Sequence, residues 1–151
     1  MISVGHVLPK KGGSILISSG DATQKADMLD ACRRLHKAGY GIYATMGTWK
    51  FLVENEIPAQ RVLWPSEVEN NPENNIPSAL ELIRKHQVDL VINIPRDFTH
   101  TELTNGYKMR RTSIDFNVPL ITNSRLATAY IRAFTVIGLE DLAIKSWDEY
   151  K

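Results

Sequence analysis

Short apolar runs alternate with amphipathic stretches along almost the whole of this sequence. Each apolar run has the length of a strand, and each amphipathic stretch carries apolar residues at helical spacing. Five strands are predicted, at 14–18, 40–44, 61–64, 88–94 and 118–122. Buried strands separated by helices predict a three-layer α/β fold. We expect a doubly wound, five-stranded parallel sheet with helices on both faces and right-handed crossovers.

Length and charge fit one compact domain. The chain has 151 residues, of which 43% are hydrophobic and 23% charged, and its formal net charge is +1. This near-neutral balance favours neither nucleic acid nor a membrane surface as a partner. No apolar run approaches the roughly 18 residues of a membrane span. We expect a core at 13–135, a linker or leader at 1–12 and a C-terminal extension at 136–151.

Cys32 is the only cysteine, so no disulfide can form within the chain. This usage is typical of a reducing compartment and predicts a cytoplasmic protein. Both ends of the sequence read as cut ends, with a charged cluster at 148–151. Two interpretations stay open, an excised piece of a longer protein and a free-standing domain.

Ligands of open parallel sheets bind beyond the carboxyl ends of the strands, at the switch point of the strand order. That rule directs attention to the segments that follow the predicted strands, at 18–23, 45–48, 64–75, 93–101 and 122–124. The stretch 65–75 is rich in Asn, Pro and Glu and is predicted to be a long, functional loop. A helix is predicted through Tyr107, Arg111, Ile114 and Phe116.

The segment 44–48 lies between a strand and a helix and is the best candidate for an anion site. Gly47 allows a tight turn and a close approach to a ligand, and the following helix would present free N–H groups. Thr45 and Thr48 add hydroxyl donors, and Lys50 could neutralise charge. The alternative is that Thr48 is only a helix N-cap.

Amides and hydroxyls follow two other strands. Asn93 ends one strand and could hold a ligand, although fixing the loop is the commoner role of such a residue. Thr122 and Asn123 precede a helix, where capping alone would explain them. Their functional interpretation depends on lying beside the Thr45 loop.

Basic residues concentrate near one predicted strand end, at Arg96, Lys108, Arg110 and Arg111. Guanidinium groups suit phosphate or carboxylate, but adjacent arginines on a helix point about 100° apart, so at most one would face a site. A solvated helix face, or a pair with an acidic neighbour, is the competing interpretation. Trp64 is either a core residue or the wall of a pocket.

The sequence predicts no catalytic residue and no metal site. It contains no phosphate-loop, nucleophile-elbow or zinc-protease motif. Its four histidines show no ligand spacing with Cys32 or with a carboxylate,.

Several motifs together resemble the methylglyoxal-synthase-like (MGS-like) superfamily, and within it the C-terminal domain of carbamoyl phosphate synthetases. They read YATMGT at 43–48, VLW at 62–64, DLVINIP at 89–95, GYKMRRT at 106–112 and DFNVPL at 115–120. The similarity runs from about 14 to 134. It implies a Rossmann-like, MGS-like fold and an allosteric module of the large subunit of a glutamine-hydrolysing synthetase in pyrimidine or arginine biosynthesis.

The resemblance also implies an effector and its contacts. Members of the family bind UMP or IMP, pyrimidine nucleotides or phosphoribosyl pyrophosphate, or N-acetylglutamate. The positions that match the ligand loops are Thr45, Thr48, Trp64, Asn93 and Thr122–Asn123. The stretch 64–66 is similar to the acetylglutamate type, so an N-acetylglutamate effector domain stays open as an alternative. Arg96 and Gly106 stand where that type has further Asn residues, which fits a more anionic, phosphorylated ligand.

The same resemblance implies the partners of the domain. They would be the remainder of the large subunit and a glutaminase subunit, with ATP and Mg²⁺ belonging to the parent enzyme and no cofactor in this domain. A homo-oligomer is also compatible with the fold.

Two other functions stay open. A free-standing methylglyoxal synthase would act on dihydroxyacetone phosphate, but its Gly-Gly-Asp stretch is missing, and Glu67, Glu69 and Glu73 are the only acids in the matching loop,. An orphan binding protein of the same fold is the third possibility.

Overall fold

The computed structural model describes residues 7–70, 75–95, 100–137 and 145–149. Strands and helices alternate in the order β1 (Ser14–Ser19), α1 (Ala22–Lys37), β2 (Gly41–Thr45), α2 (Met46–Glu54), β3 (Gln60–Val62), α3 (Pro65–Asn70), α4 (Ala79–Arg84), β4 (Leu90–Ile94), α5 (His100–Asp115), β5 (Leu120–Ile121) and α6 (Ser124–Phe134), followed by a 3-10 turn at Trp147–Glu149.

The five strands form one sheet in the order β3-β2-β1-β4-β5, and every pair is parallel. The predicted five-stranded parallel sheet is therefore confirmed. β1 is its central strand, with β2 on one side and β4 on the other. The strand order reverses its direction between β1 and β4, which is where a ligand is expected in such a sheet.

Alternate residues of β1 contribute to two separate cores. Ile15 and Ile17 are buried against α1, α2 and α6. Leu16 lies in a second core with residues of α4 and α5. Because successive strand side chains point to opposite faces, these two cores place helices on both faces of the sheet, as predicted.

Local signals explain the bounds of α1. The Asp21 side chain accepts the Gln24 N–H at 2.7 Å, and the Gln24 side chain accepts the Asp21 N–H, which is a capping box,. Gly39 follows the helix with φ of 82°. The Tyr40 N–H then bonds to the Leu35 carbonyl at 3.0 Å, so the chain leaves the helix through this glycine,.

The predicted long loop at 65–75 is wrong over its first six residues, which form α3. Pro65 takes the first helical position, where its missing N–H costs nothing. Glu67, two residues on, accepts the Trp64 N–H at 2.7 Å and closes the start of the helix,. Residues 71–74 lie outside the described part of the chain.

The helix predicted through Tyr107, Arg111, Ile114 and Phe116 is present as α5, which ends at Asp115. Its apolar members do not form the buried face, because Tyr107 is 60% exposed and Ile114 64% exposed. Among the α5 residues whose burial the structure describes, 104–115, the buried positions are Asn105, Gly106, Met109, Thr112 and Ser113. Because most of these residues are small or polar, the spacing of apolar residues in the sequence could not predict which face of α5 is buried.

None of the helices in the described ranges is long and apolar enough to cross a membrane.

Candidate functional site

A row of buried polar side chains crosses three neighbouring strands at their carboxyl ends. Ser18 of β1 pairs in register with Asn93 of β4, and the Thr45 Oγ1 of β2 donates to the Ser18 Oγ at 3.1 Å. All three residues are at most 2% exposed. They alternate with Ile17, Ala44 and Ile92 of the first core, so they face the side of the sheet that α5 covers,.

A cavity of about 290 Å³ opens at this end of the sheet, near the lower limit of small-molecule sites,. Four of the predicted site residues line it, namely Thr45, Gly47, Thr48 and Trp64. The other residues of its wall are Ser19, Gly20, Lys25, Ser66, Glu67 and Asn105.

The N-terminus of α2 forms one wall of the cavity. Thr45 is the N-cap, and its side chain makes no capping hydrogen bond. The first N–H groups of the helix therefore have neither an intrahelical acceptor nor a side-chain cap, and the helix dipole adds positive potential there. The alternative interpretation of Thr48 as the N-cap is wrong, because Thr48 lies inside the first turn.

The hydroxyl of Thr48 is already engaged within the protein. Its Oγ1 accepts the Ser19 N–H at 2.9 Å and donates to the Ser19 carbonyl at 3.2 Å. This pair of bonds ties the start of α2 to the end of β1. Thr48 can therefore offer a ligand its backbone N–H, while its side chain holds the cavity wall in place.

Lys25 supplies a cation at the same wall. A Cβ built on Gly47 would lie 3.4 Å from Lys25 Nζ, so the ammonium sits beside the start of α2. Lys25 projects from the first turns of α1 and is partly buried. A cation next to uncapped helix N–H groups is an arrangement that favours an anion.

The opposite wall is the start of α3, which α5 holds in place. Asn105 Oδ1 accepts the Ser66 N–H at 3.0 Å, and Asn105 Nδ2 donates to the Ser66 Oγ at 2.8 Å. Further along the two helices, Lys108 Nζ donates to Glu69 Oε1 at 2.7 Å. Asn105 is 5% exposed, and in this shielded position the oxygen and the nitrogen of its amide both bond to Ser66.

Glu67 is the acid of this wall, and both its oxygens have partners. Oε1 accepts from Arg61 Nη2 at 3.1 Å, and Oε2 accepts the Trp64 N–H at 2.7 Å. The ion pair offsets the charge of Glu67, so Lys25 and the helix dipole dominate the potential of the cavity. A carboxylate held in this way is poorly prepared to take a proton from a substrate.

Asn93 and Arg110 meet beside the cavity rather than in its wall. Arg110 Nη1 donates to Asn93 Oδ1 at 2.6 Å. Asn93 is fully buried, and its Nδ2 has no hydrogen-bond partner among the residues that the structure describes. Of the two adjacent arginines, Arg110 thus points toward the strand ends, while Arg111 pairs with Asp115 on the exposed side at 2.9 Å. A contact of Arg110 with a ligand stays a prediction.

The structure does not bring the remaining predicted residues into this cavity. Lys50 is 69% exposed and faces Glu54 at 3.9 Å. Thr122 and Asn123 are exposed beyond β5, an edge strand, and Asn123 caps α6 by accepting the Leu126 N–H at 3.0 Å. Capping is therefore confirmed for Asn123. Arg96 lies outside the described residues.

Sequence reasoning named the segment 18–23 but missed Ser19, Gly20 and Lys25 as individual contributors. The rule that ligands bind beyond the carboxyl ends of strands could have identified them, if it had been extended to the first turn of the helix that follows each strand. Ser66 and Asn105 had no local signal, because they are 39 residues apart and meet only through the packing of α3 on α5.

Within the described residues, no three His, Cys, Asp or Glu side chains are placed to hold a metal ion. Cys32 is 2% exposed in the core, and burial raises the pKa of its thiol to about 12. Its thiol is consequently protonated at neutral pH and takes no part in the cavity.

The sequence profile of the MGS-like domain matches residues 27–122. The human mitochondrial carbamoyl-phosphate synthase [ammonia] is 36% identical over 133 residues, and the C-terminal section of the carbamoyl phosphate synthase large chain of Aquifex aeolicus is 37% identical over 136 residues. These matches cover 88% and 90% of this chain.

Another relative, the multifunctional protein ura1 of Schizosaccharomyces pombe, is 34% identical over 137 residues, or 88% of this chain. The chain spans only 6% of that protein, 8% of the human one and 23% of the Aquifex one. Among solved structures, a methylglyoxal synthase from Elizabethkingia anophelis superposes with a TM-score of 0.55 and 17% identity, covering 84% of this chain and 81% of that one. At this level of identity, the similarity to the methylglyoxal synthase structure supports only the fold.

Proposed function

The chain belongs to the MGS-like domain family, and we propose that it is the allosteric domain of a carbamoyl phosphate synthase that binds an anionic metabolite. The anionic group, a phosphate of a nucleotide such as UMP or IMP, would lie at the start of α2. The observation that carries this proposal is Lys25 Nζ beside the uncapped N-terminus of α2, in the wall of a cavity.

The hydrogen-bond inventory of the cavity supports an anion over a neutral ligand. The hydroxyls of Thr45 and Thr48 are engaged by Ser18 and Ser19, so the donors that the start of α2 offers are its backbone N–H groups, with the Lys25 ammonium beside them. Donors of this kind suit phosphate or carboxylate. The proposal therefore assigns the contact at Gly47 and Thr48 to the backbone, and keeps Trp64 as the wall for the rest of the ligand.

The relatives support the context of a synthase. Two of them are named as carbamoyl phosphate synthases, and one of these is described as a C-terminal section. We propose that this chain acts with the remainder of such a large subunit, a glutaminase subunit, and the ATP and Mg²⁺ of the parent enzyme. The single buried cysteine is compatible with the cytoplasm as its compartment,.

Regulation requires that the effector bind two states of the parent enzyme with different affinities. The start of α3 is a candidate for the part that differs, because it lines the cavity and is joined to α5 by Asn105 and Lys108. The domain alone would then bind its effector without converting it.

Thermal shift with UMP, UTP, IMP, phosphoribosyl pyrophosphate and N-acetylglutamate tests the proposal. A ligand at 100 times its dissociation constant stabilises the protein by about 2.7 kcal/mol. Lys25→Met should abolish most of this shift, whereas Lys50→Met, the same change on the exposed side of α2, should keep it. Equal loss in both variants would show that the anion does not bind at the α2 start.

Methylglyoxal formation from dihydroxyacetone phosphate separates this proposal from the synthase alternative. The two oxygens of Glu67 are taken by Arg61 and Trp64, so we expect no turnover by the purified protein. Turnover by the wild-type protein that disappears in Glu67→Gln would contradict the regulatory proposal and indicate a catalytic function.

A further inference from the structure

The exposed side of α5 carries two large apolar side chains on one line of the helix. Tyr107 and Ile114 are 60% and 64% exposed, and their spacing of seven residues places them two turns apart on the same face,. A groove of about 440 Å³ borders this face, between α5, α3 and α4. Single exposed apolar residues are common on monomers, whereas an apolar row beside an open groove is typical of a contact surface.

A charged row runs beside the apolar row, about 100° further round the helix. Lys108 follows Tyr107 and Asp115 follows Ile114, and their side chains are 38% and 42% exposed. The charged row is therefore positive towards the start of α5 and negative at its end. The apolar row, by contrast, has a large side chain near each end.

We propose that this face of α5 binds the same face of a second copy of the chain, with the two helices antiparallel across a two-fold axis near Arg111. Tyr107 of one copy then packs against Ile114 of the other, and Lys108 faces Asp115 of the other copy. Each contact occurs twice, as a two-fold interface requires. A parallel pair of helices would instead bring lysine to lysine and aspartate to aspartate.

The charges of the surface are compatible with self-association. Arg111, nearest to the axis, donates from Nε to Oδ2 of its own Asp115 at 2.9 Å, so a carboxylate offsets its charge where the two arginines approach. The formal net charge of the whole chain is only +1, so two copies repel each other weakly,. The apolar row supplies affinity, and the charged row fixes the antiparallel orientation.

Sedimentation equilibrium of the whole chain, from micromolar to sub-millimolar concentration, tests the proposal. We expect a reversible monomer–dimer equilibrium for wild type, and a monomer for Ile114→Glu, because the new charge would be buried against the other copy. Leu126→Glu is the matched control, since Leu126 is 46% exposed on α6, and it should dimerise like wild type. Both variants should keep the wild-type melting temperature at concentrations where wild type is a monomer.

Two charge reversals test the orientation of the helices. Lys108→Glu alone places two acids opposite each other at both ends of the interface, and Asp115→Lys alone places two bases there. Each variant should dimerise about ten-fold more weakly than wild type. Mixing the two variants should restore association, because a dimer with one copy of each has an opposite-charge pair at both ends.

A wild-type chain that stays monomeric at every concentration would overturn the inference. Dimerisation that persists in Ile114→Glu would place the interface on another surface and overturn it as well. A mixture of the two charge variants that associates no better than either variant alone would rule out the antiparallel pairing of α5.

Discussion

Arg110 Nη1 and Asn93 Oδ1 are 2.6 Å apart, and Gly106 is what allows them to meet. A Cβ on Gly106 would lie 2.7 Å from that guanidinium nitrogen and 3.4 Å from the Asn93 oxygen. The contact joins α5 to the end of β4, beside the cavity. It gives a basic side chain a buried polar partner instead of a carboxylate.

Arg110→Met should destabilise the protein by about 1–3 kcal/mol, because it leaves both polar side-chain atoms of the fully buried Asn93 without a partner in the described part of the chain,. Urea unfolding measures the difference. Arg111→Met removes the same charge from an exposed ion pair and should change the midpoint little,. Similar losses in the two variants would contradict a special role for the Asn93 contact.

Thr48→Val should cost about 1–3 kcal/mol, because it removes the hydroxyl that satisfies both the N–H and the carbonyl of Ser19,. Val keeps the shape of the side chain, so packing is nearly unchanged. Thr135→Val is the control, since the Ile131 carbonyl that its hydroxyl contacts also accepts the Thr135 N–H. We expect that control to stay within about 0.5 kcal/mol of wild type in denaturant titrations.

Asn105→Asp places a negative charge in the cavity wall while keeping an oxygen for the Ser66 N–H. Repulsion should weaken phosphate binding by about ten-fold, equivalent to about 1.4 kcal/mol. Gln87→Glu adds the same charge at an exposed position and should leave the affinity near that of wild type,. Calorimetry that finds equal affinities for wild type and Asn105→Asp would exclude Asn105 from the anion's surroundings.

Alkaline pH should destabilise the fold through Cys32. Burial raises the pKa of its thiol to about 12 from its ordinary value of 9.0, so the folded state resists losing that proton. The stabilising contribution of the thiol is complete below about pH 9 and decreases between pH 9 and 12, by at most about 1.4 kcal/mol per pH unit,.

The free energy of unfolding in reducing buffer, measured from pH 8 to 10.5, should fall more steeply for wild type than for Cys32→Ala. Burial also raises the pKa of Tyr130 to about 12, but both proteins share that tyrosine, so its effect cancels in the comparison. Parallel slopes would mean that the thiol is not shielded.

The periodicity of the sequence was sufficient to predict the sheet and the layers. Strands such as β4, buried at every position, and ends such as Gly39 are local features that need no knowledge of the rest of the chain,. The same periodicity failed at 65–75, where Pro65 and Glu67 start a helix without an apolar stripe. It also failed on α5, whose described buried positions are mostly small or polar.

The site could be predicted only where a strand end marks it. Thr45, Gly47, Thr48 and Trp64 were found in this way and do line the cavity. Lys50 was named as a cation because it is near Gly47 in sequence, but α2 turns it outward. The cation that lies beside Gly47 is instead Lys25 of α1. Its position depends on how α1 and α2 pack against the same core, which no local pattern in the sequence indicates.

The central position of β1 has a consequence for folding. Its pairing with β2 is local, but its pairing with β4 joins positions 75 apart in the chain, as the Ser14–Asp89 bond illustrates. Contacts of that separation form late and slow the search for the native state. We therefore expect a nascent chain to assemble the half of the cavity around Lys25 and α2 first, and to complete its second wall only after Asn105 has been synthesised,.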